Sequence, residues 1–262
     1  MAPWALAVKD VTITTASKTD PGTAVDQEVQ NKTQIKTLIW DLPTRGFHWA
    51  LVICLTGSWV TAELGFEWTE THFILGYTSL GLIVFRIIWG FIGPAHARFS
   101  AFLRGPASVM ASARQLTNRN PSSYVGHNPI GGWSTLLFLI VVAVQATTGL
   151  FISDDIFYAG PYNGVVSSST AGELAGIHHL NFNLLQGLVV VHLAAIFWYQ
   201  WGKRTNLIAP MVSGYKQLSP DEARQAIPHL YVWRGLLLGL ITAAAITALV
   251  QLAPPPAPID FY

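Results

Sequence analysis

The sequence predicts an all-α membrane protein, a four-helix transmembrane bundle followed by a fifth transmembrane helix. Three observations carry this expectation. Of the 262 residues, 51% are hydrophobic and only 11% are charged, and the mean hydropathy is +0.40, a balance that suits lipid better than water. Five stretches, roughly residues 46–63, 72–92, 133–152, 181–201 and 232–252, supply the about 20 apolar residues that one helical crossing requires. They are apolar all round and hold Gly and Ala, whereas barrel strands would alternate over about ten residues. Finally, the basic residues fall in alternate connections. Lys9, Lys18, Lys32, Lys36 and Arg45 precede the first stretch; Arg98, Arg104, Arg114 and Arg119 separate the second from the third; Lys203, Arg204, Lys216 and Arg224 separate the fourth from the fifth. The other connections have none, and cytoplasmic loops keep the Lys and Arg excess. A multi-pass chain with its N-terminus cytoplasmic and its C-terminus periplasmic follows.

Taken in order, residues 1–41 are rich in Thr, Lys, Asp and Gln without periodicity and read as a cytoplasmic tail, mobile or ordered by a partner. Trp4–Val8 is too short an apolar piece for a secretory signal core, so the first helix is expected to act as an uncleaved anchor. Residues 42–215 hold the four-helix core. Between its second and third helices, Phe99, Phe102, Leu103, Val109, Met110 and Leu116 recur among arginines, a pattern for a short amphipathic surface helix or a packed linker. The outer connection 153–177, rich in Gly, Ser and Tyr, is long enough to fold over the bundle as a lid. Residues 216–253 form a linker and the fifth helix, where Gly235 and Gly239 make a G-x-x-x-G ahead of Ala243, Ala244 and Ala245. Such surfaces permit close packing within the chain or against a partner. The Pro-rich tail 254–262 must leave the helix and run extended.

The chemistry lies in the histidines. His178 and His192 are fourteen residues apart on the fourth helix. At about 100° and 1.5 Å per residue they share one face, about 40° apart, and are separated by about 21 Å along the axis. The second helix starts outside with His72, and the first starts inside with His48. Depth therefore gives two pairs, His72 with His178 at the outer level and His48 with His192 at the inner one. His179 falls about 140° from the His192 face and is read as facing the external loop or a polar group of a ligand. His96, His127 and His229 lie in inner loops, where a solvated or capping role is expected. Buried imidazoles without partners are costly, and ionisable groups inside membranes mark function. The simpler alternative, that each histidine only hydrogen-bonds a neighbouring helix, leaves the two matched levels unexplained.

Two imidazoles per level, without accompanying carboxylates or thiolates, suit a low-spin iron held on both axial sides. Cys54 is the single cysteine, which excludes C-x-x-C-H attachment, cysteine-ligated clusters and a disulfide, so two non-covalent b haems are expected. With both axial positions filled, the iron has no open site, which favours electron transfer over bond-making chemistry. Arg86, fourteen residues after His72, reaches from the second helix toward the inner level. A haem propionate would neutralise it there; snorkelling to the inner surface is the alternative. Arg45, beside His48, has the same options.

The chain resembles the bacterial cytochrome b561 family of dihaem membrane cytochromes, in particular the larger cytochrome b subunits that accompany hydrogenases and other periplasmic redox proteins. The likeness rests on RGFHW around His48, THFILGY through LIVFRIIWGFIGPAHARFS around His72 and Arg86, GHNPIGGW from residue 126, and IHHLNFNLLQGLVVVH around His178 and His192, spanning about residues 45–215. It implies a four-helix core with two b haems ligated by His48, His72, His178 and His192. It also implies respiratory electron transfer between the quinone pool and a redox partner, in a bacterial inner membrane. The fifth helix and the long N-terminal tail depart from the minimal pattern, and with no histidine in the fifth helix it cannot ligate haem.

On the outer side Glu63, Glu67, Glu70, Asp154, Asp155, Glu173 and Asp260 occur without one Lys or Arg. An acidic mouth would steer a basic partner toward the outer haem, and a periplasmic c-type cytochrome or dehydrogenase subunit fits; topology alone would also clear these loops of basic residues. No nucleic acid is expected, membrane lipid is, and a homo-oligomer and a larger complex both remain open. The competing readings are a stand-alone oxidoreductase of superoxide or ferric chelates, and a haem-free membrane anchor or transporter whose histidines relay protons.

Overall fold

The computed structural model describes residues 34–116, 124–154 and 157–254. Most of the N-terminal tail, the Pro-rich tail from 255, and Arg119, Asp155 and Asp260 lie outside the described residues. Five helices are long and apolar enough to cross a membrane: α1 (Leu42–Leu64), α2 (Thr69–Ile92), α3 (Pro129–Thr148), α4 (Ser168–Phe197) and α5 (Val232–Gln251). They coincide with the five apolar stretches read from the sequence. The ends come from local chemistry. Asp41 caps α1 by accepting from the Thr44 N–H at 2.8 Å, with Pro43 in the first turn. Asn128 and Ser167 cap α3 and α4 in the same way, each satisfying a donor the first turn leaves open. Gly65, at φ +91°, ends α1 in the left-handed region that glycine enters without penalty.

The helices alternate in direction, so one end of the bundle collects the basic connections and the other the acidic ones. α1 packs along α2, α3 along α4, and α2 against α3; α5 lies on α2 and α1. By contrast, α4 packs closely on α3 and not comparably on α1 or α2. Its single buried side chain is Leu185, seven residues from both His178 and His192, which joins Ile83, Leu139, Val141 and Val142 in the central cluster. Contact between α4 and the α1–α2 pair is slight by comparison, with Trp59 of α1 meeting Phe182 of α4 at 6.2 Å between ring centroids.

At the basic end a short strand β1 (Ile35–Leu38) pairs antiparallel with β2 (Tyr215–Leu218), Ile35 opposite Leu218. Strand β1, together with Ile39, Trp40 and Asp41, all buried, corrects part of the expected tail: its last residues are ordered, and what orders them is this chain's own residues 215–218. The connection between α2 and α3 forms two short helices, Phe99–Phe102 and Pro106–Arg114. Phe102 is buried in the first, and the second exposes Met110, buries Ser112 and packs on α3. Lys203 Nζ donates to the Gln115 carbonyl at 2.9 Å, and Trp198 Nε1 to that of Leu116 at 3.0 Å. These bonds tie the connection to the π-helical turn Trp198–Gly202 that ends α4.

At the acidic end Phe66 meets Phe157 and Tyr158, and Tyr158 meets Phe73. Tyr162 donates to the Leu249 carbonyl at 2.9 Å. The outer connection thus packs against the start of α2, and it is shorter than expected, since residues 168–177 form the first turns of α4. Within the G-x-x-x-G of α5, a methyl group placed on Gly235 would fall 2.2 Å from Pro43 Cγ, whereas one on Gly239 meets nothing within 4 Å. The motif's first glycine therefore serves packing within the chain. Gly235→Val should push α5 off the start of α1 and cost about 1–3 kcal/mol, read as a lower unfolding midpoint of the purified protein in detergent; Gly239→Val should cost markedly less.

Candidate functional site

The four membrane histidines named from the sequence are each half-buried, and they gather in twos. His48 and His192 lie within electrostatic reach of each other at the basic end, as do His72 and His178 at the acidic end. His179 is exposed, its ring nearly perpendicular to that of His178. The fold produces this because α1 and α2 form one antiparallel hairpin, α4 runs beside α3, and the helical rise fixes each residue's height. Among the described residues no group of three or more His, Cys, Asp or Glu side chains could hold a metal ion. The metal chemistry this constellation offers is that of paired imidazoles.

At the acidic end both rings have their orientation fixed. His72 Nδ1 lies 2.9 Å from the Ser58 carbonyl, which can only accept, so Nδ1 carries the proton. His178 Nδ1 lies 3.0 Å from Thr148 Oγ1. That hydroxyl is itself 2.8 Å from the Val144 carbonyl and 3.0 Å from that of Gln145. Its hydrogen goes to the backbone, and its free lone pair accepts from His178 Nδ1–H. With Nδ1 engaged in each ring, Nε2 is the nitrogen left for a metal, which binds the neutral imidazole. Asn181 Nδ2 donates to the Val141 carbonyl at 3.0 Å and to Gln145 Oε1 at 2.7 Å, fixing α4 against α3 one turn from His178.

The basic end is organised differently. His48 Nδ1 is buried without a hydrogen-bond partner, and its ring stands edge-on to Trp49. His192 makes a T-shaped contact with Phe138 at 5.5 Å. Arg86 is 2% exposed, its guanidinium over the rings of Phe99 and Phe102 at 5.4 and 5.8 Å. Its Nη1 has no hydrogen-bond partner. The Asp41 carboxylate acts on it only through space, being engaged with Thr44 and Trp89. Arg45 donates to the Val212 carbonyl and keeps a buried Nε without a partner. A buried guanidinium with unmet donors is a place for an anion.

Sequence reasoning missed several of these groups. Asp41 was detectable, since Asp followed by Pro two residues on is a helix-start signal. Thr148 and Ser58 were not, because their partners lie thirty and fourteen residues away. His127, expected to be solvated or capping, is instead enclosed between Trp40 and Phe102, each ring 4.7 Å away. Burial first, then the nearby Arg86 and His96, push it down to about 3, so it is neutral at physiological pH. His96 Nε2 lies 2.7 Å from the Gln225 carbonyl, and His229 is exposed.

Comparison with known proteins gives one concordant result. The family model for prokaryotic cytochrome b561 matches residues 39–214. Curated relatives include a probable Ni/Fe-hydrogenase B-type cytochrome subunit of Azotobacter vinelandii, 26% identical over 237 residues, covering 75% of this chain and 95% of the relative. The protein of the same name from Cupriavidus necator is 24% identical, covering 78% and 95%. A probable Ni/Fe-hydrogenase 1 B-type cytochrome subunit of Escherichia coli is 22% identical, covering 68% and 89%. No solved structure matches the chain.

Proposed function

This chain belongs to the prokaryotic cytochrome b561 family and is therefore a b-type haem cytochrome of membrane electron transport; from that premise we propose that it holds two b haems and carries electrons between a periplasmic Ni/Fe hydrogenase and the quinone pool. The observation that carries the proposal is the matched pairing of His48 with His192 and of His72 with His178 at opposite ends of the bundle. When bound, haem supplies one-electron oxidation and reduction at iron. The two pairs would hold one group each, His72 and His178 presenting Nε2 as described. The residues fit such a group: imidazoles from two different helices come together at each level, and the basic end holds the buried Arg86 Nη1 and Arg45 Nε without hydrogen-bond partners. Arg86, with Nη1 unmet, would take a propionate of the basic-end group, and Arg45 through its Nε is the second candidate. Two histidines per group would hold and orient it and would leave no place at the iron for a substrate, so the chemistry it would supply is electron transfer.

Orientation follows the charge rule, with the basic end cytoplasmic and the C-terminus periplasmic in a bacterial inner membrane. The exposed Glu63, Glu67, Glu70 and Glu173 then face the periplasm beside the His72–His178 pair, where a redox protein with a basic surface would dock. A hydrogenase is favoured over a c-type cytochrome because the relatives are named as hydrogenase subunits. The quinone reading finds support in a cavity at the basic end lined by His96, Tyr124 and His127, whose polar atoms would meet a quinone's carbonyl oxygens. Family membership argues against the haem-free anchor or transporter.

Purification in mild detergent tests the proposal. Two haems per chain, a b-type reduced-minus-oxidised spectrum, reduction by a quinol analogue and co-purification of a hydrogenase are expected. A colourless protein, or one haem per chain with every histidine variant equally loaded, would contradict it.

A further inference from the structure

We infer that Thr148 is a positioning residue that sets the redox potential of the acidic-end haem through its hydrogen bond to His178, an inference that rests on the proposed His72–His178 ligation. Thr148 is 6% exposed and sits at the last position of α3. Its side chain could satisfy itself entirely on its own helix, since Val144 and Gln145 carbonyls lie 2.8 and 3.0 Å from Oγ1. It nevertheless also meets His178 Nδ1 at 3.0 Å, with Gly149 packed against the same ring: a methyl group there would be 3.4 Å from His178 Cε1. The hydroxyl accepts the Nδ1 proton, fixes the tautomer and makes the opposite nitrogen a stronger electron donor. A stronger donor stabilises the ferric over the ferrous state, so the bond lowers the potential of that site.

The contrast within the bundle sharpens the point. Both acidic-end imidazoles have acceptors at Nδ1, Thr148 Oγ1 for His178 and the Ser58 carbonyl for His72. At the basic end, His48 Nδ1 has none and Arg86 brings a buried positive charge. A nearby cation favours the reduced form, which carries one positive charge fewer, and so raises the potential. Thr148 thus works in the same sense as the rest of the fold, keeping the acidic-end site the lower-potential partner of the two. Only Thr148 can be altered without touching the main chain, which makes it the testable member.

The test is spectroscopic potentiometry on the purified holoprotein, with His192→Ala used to assign the wave of the acidic-end haem. Thr148→Val keeps the shape and removes the hydroxyl acceptor, leaving His178 the backbone of Gln145 alone. It should raise the reduced-to-oxidised ratio of that haem at fixed ambient potential by about tenfold, about 59 mV for one electron, and leave the other wave in place. Thr148→Ser, which retains the hydroxyl, should titrate like the parent. If Thr148→Val loses the acidic-end haem while Thr148→Ser keeps it at the parental potential, the hydroxyl is still the group that matters. Thr148→Val with both haems and an unmoved potential overturns the inference, as does Thr148→Ser behaving like Thr148→Val. Failure of the underlying ligation reads differently: His178→Ala would then keep the acidic-end haem.

Discussion

Replacing His192 by alanine should yield a protein that carries one haem in place of the two proposed for the parent, with the acidic-end signal intact. His178→Ala should give the mirror result, losing the acidic-end signal and keeping the other. The expectation follows from height. The two residues share a face of α4 but stand about 21 Å apart along it, too far to serve one iron, and each lies beside a different partner, His48 and His72 respectively. On the proposed ligation each substitution would remove one of the two imidazoles holding its haem, so a large loss of haem affinity is expected, beyond the about 10–100-fold that an outer-shell change brings. His179→Ala is the control, since that ring is exposed, and it should retain both haems. Haem quantitation against protein, with reduced-minus-oxidised spectra, decides the matter. Loss of both signals from each single variant would mean that the two sites are not separate. Retention of both in His178→Ala and His192→Ala would remove these residues from the ligand set.

The second large effect is expected at Asp41, a residue with no histidine chemistry of its own. Its carboxylate is 0% exposed and accepts from the Thr44 N–H at 2.8 Å, Thr44 Oγ1 at 2.7 Å and Trp89 Nε1 at 3.1 Å. It therefore caps α1, ties α1 to α2, and is the negative charge that acts on Arg86. Asp41→Ala removes a helix cap, about 1 kcal/mol, and strands the buried Trp89 indole N–H, about 1–3 kcal/mol. A loss of about 3 kcal/mol is expected, with reduced occupancy of the basic-end haem, because His48 sits seven residues into the same helix. Asp41→Asn keeps an acceptor for Thr44 and should recover part of the loss while leaving Arg86 without its counter-charge. Chemical unfolding in detergent, followed through the haem absorbance, measures both. An Asp41→Ala protein as stable as the parent would show that the cap and the indole bond contribute little.

These two predictions separate what could be read along the chain from what could not. His48, His72, His178 and His192 were named from spacing and depth because helical rise and bilayer thickness are fixed quantities that turn sequence distance into height. The family likeness was carried by motifs around the same residues. By contrast, Asp41 and Trp89 meet across forty-eight positions, and the β1–β2 pairing joins Lys36 to Gln217. A four-residue strand has no period long enough to announce itself. Position in an inner loop points to a solvated or capping role for His127, while its neighbours in space are Trp40 and Phe102.

The sequence by itself determined the five crossings, their alternation, the basic and acidic ends and the heights of the histidines. All of these depend on composition over about 20 residues or on the constant rise of a helix. Only the tertiary structure decided which side chains complete the sites: the hydroxyl of Thr148 on His178, the carbonyl of Ser58 on His72, and the carboxylate of Asp41 between Thr44 and Trp89. Hydrogen bonds act over about 3 Å, and no local pattern states which residues the packing of separate helices will bring within that distance.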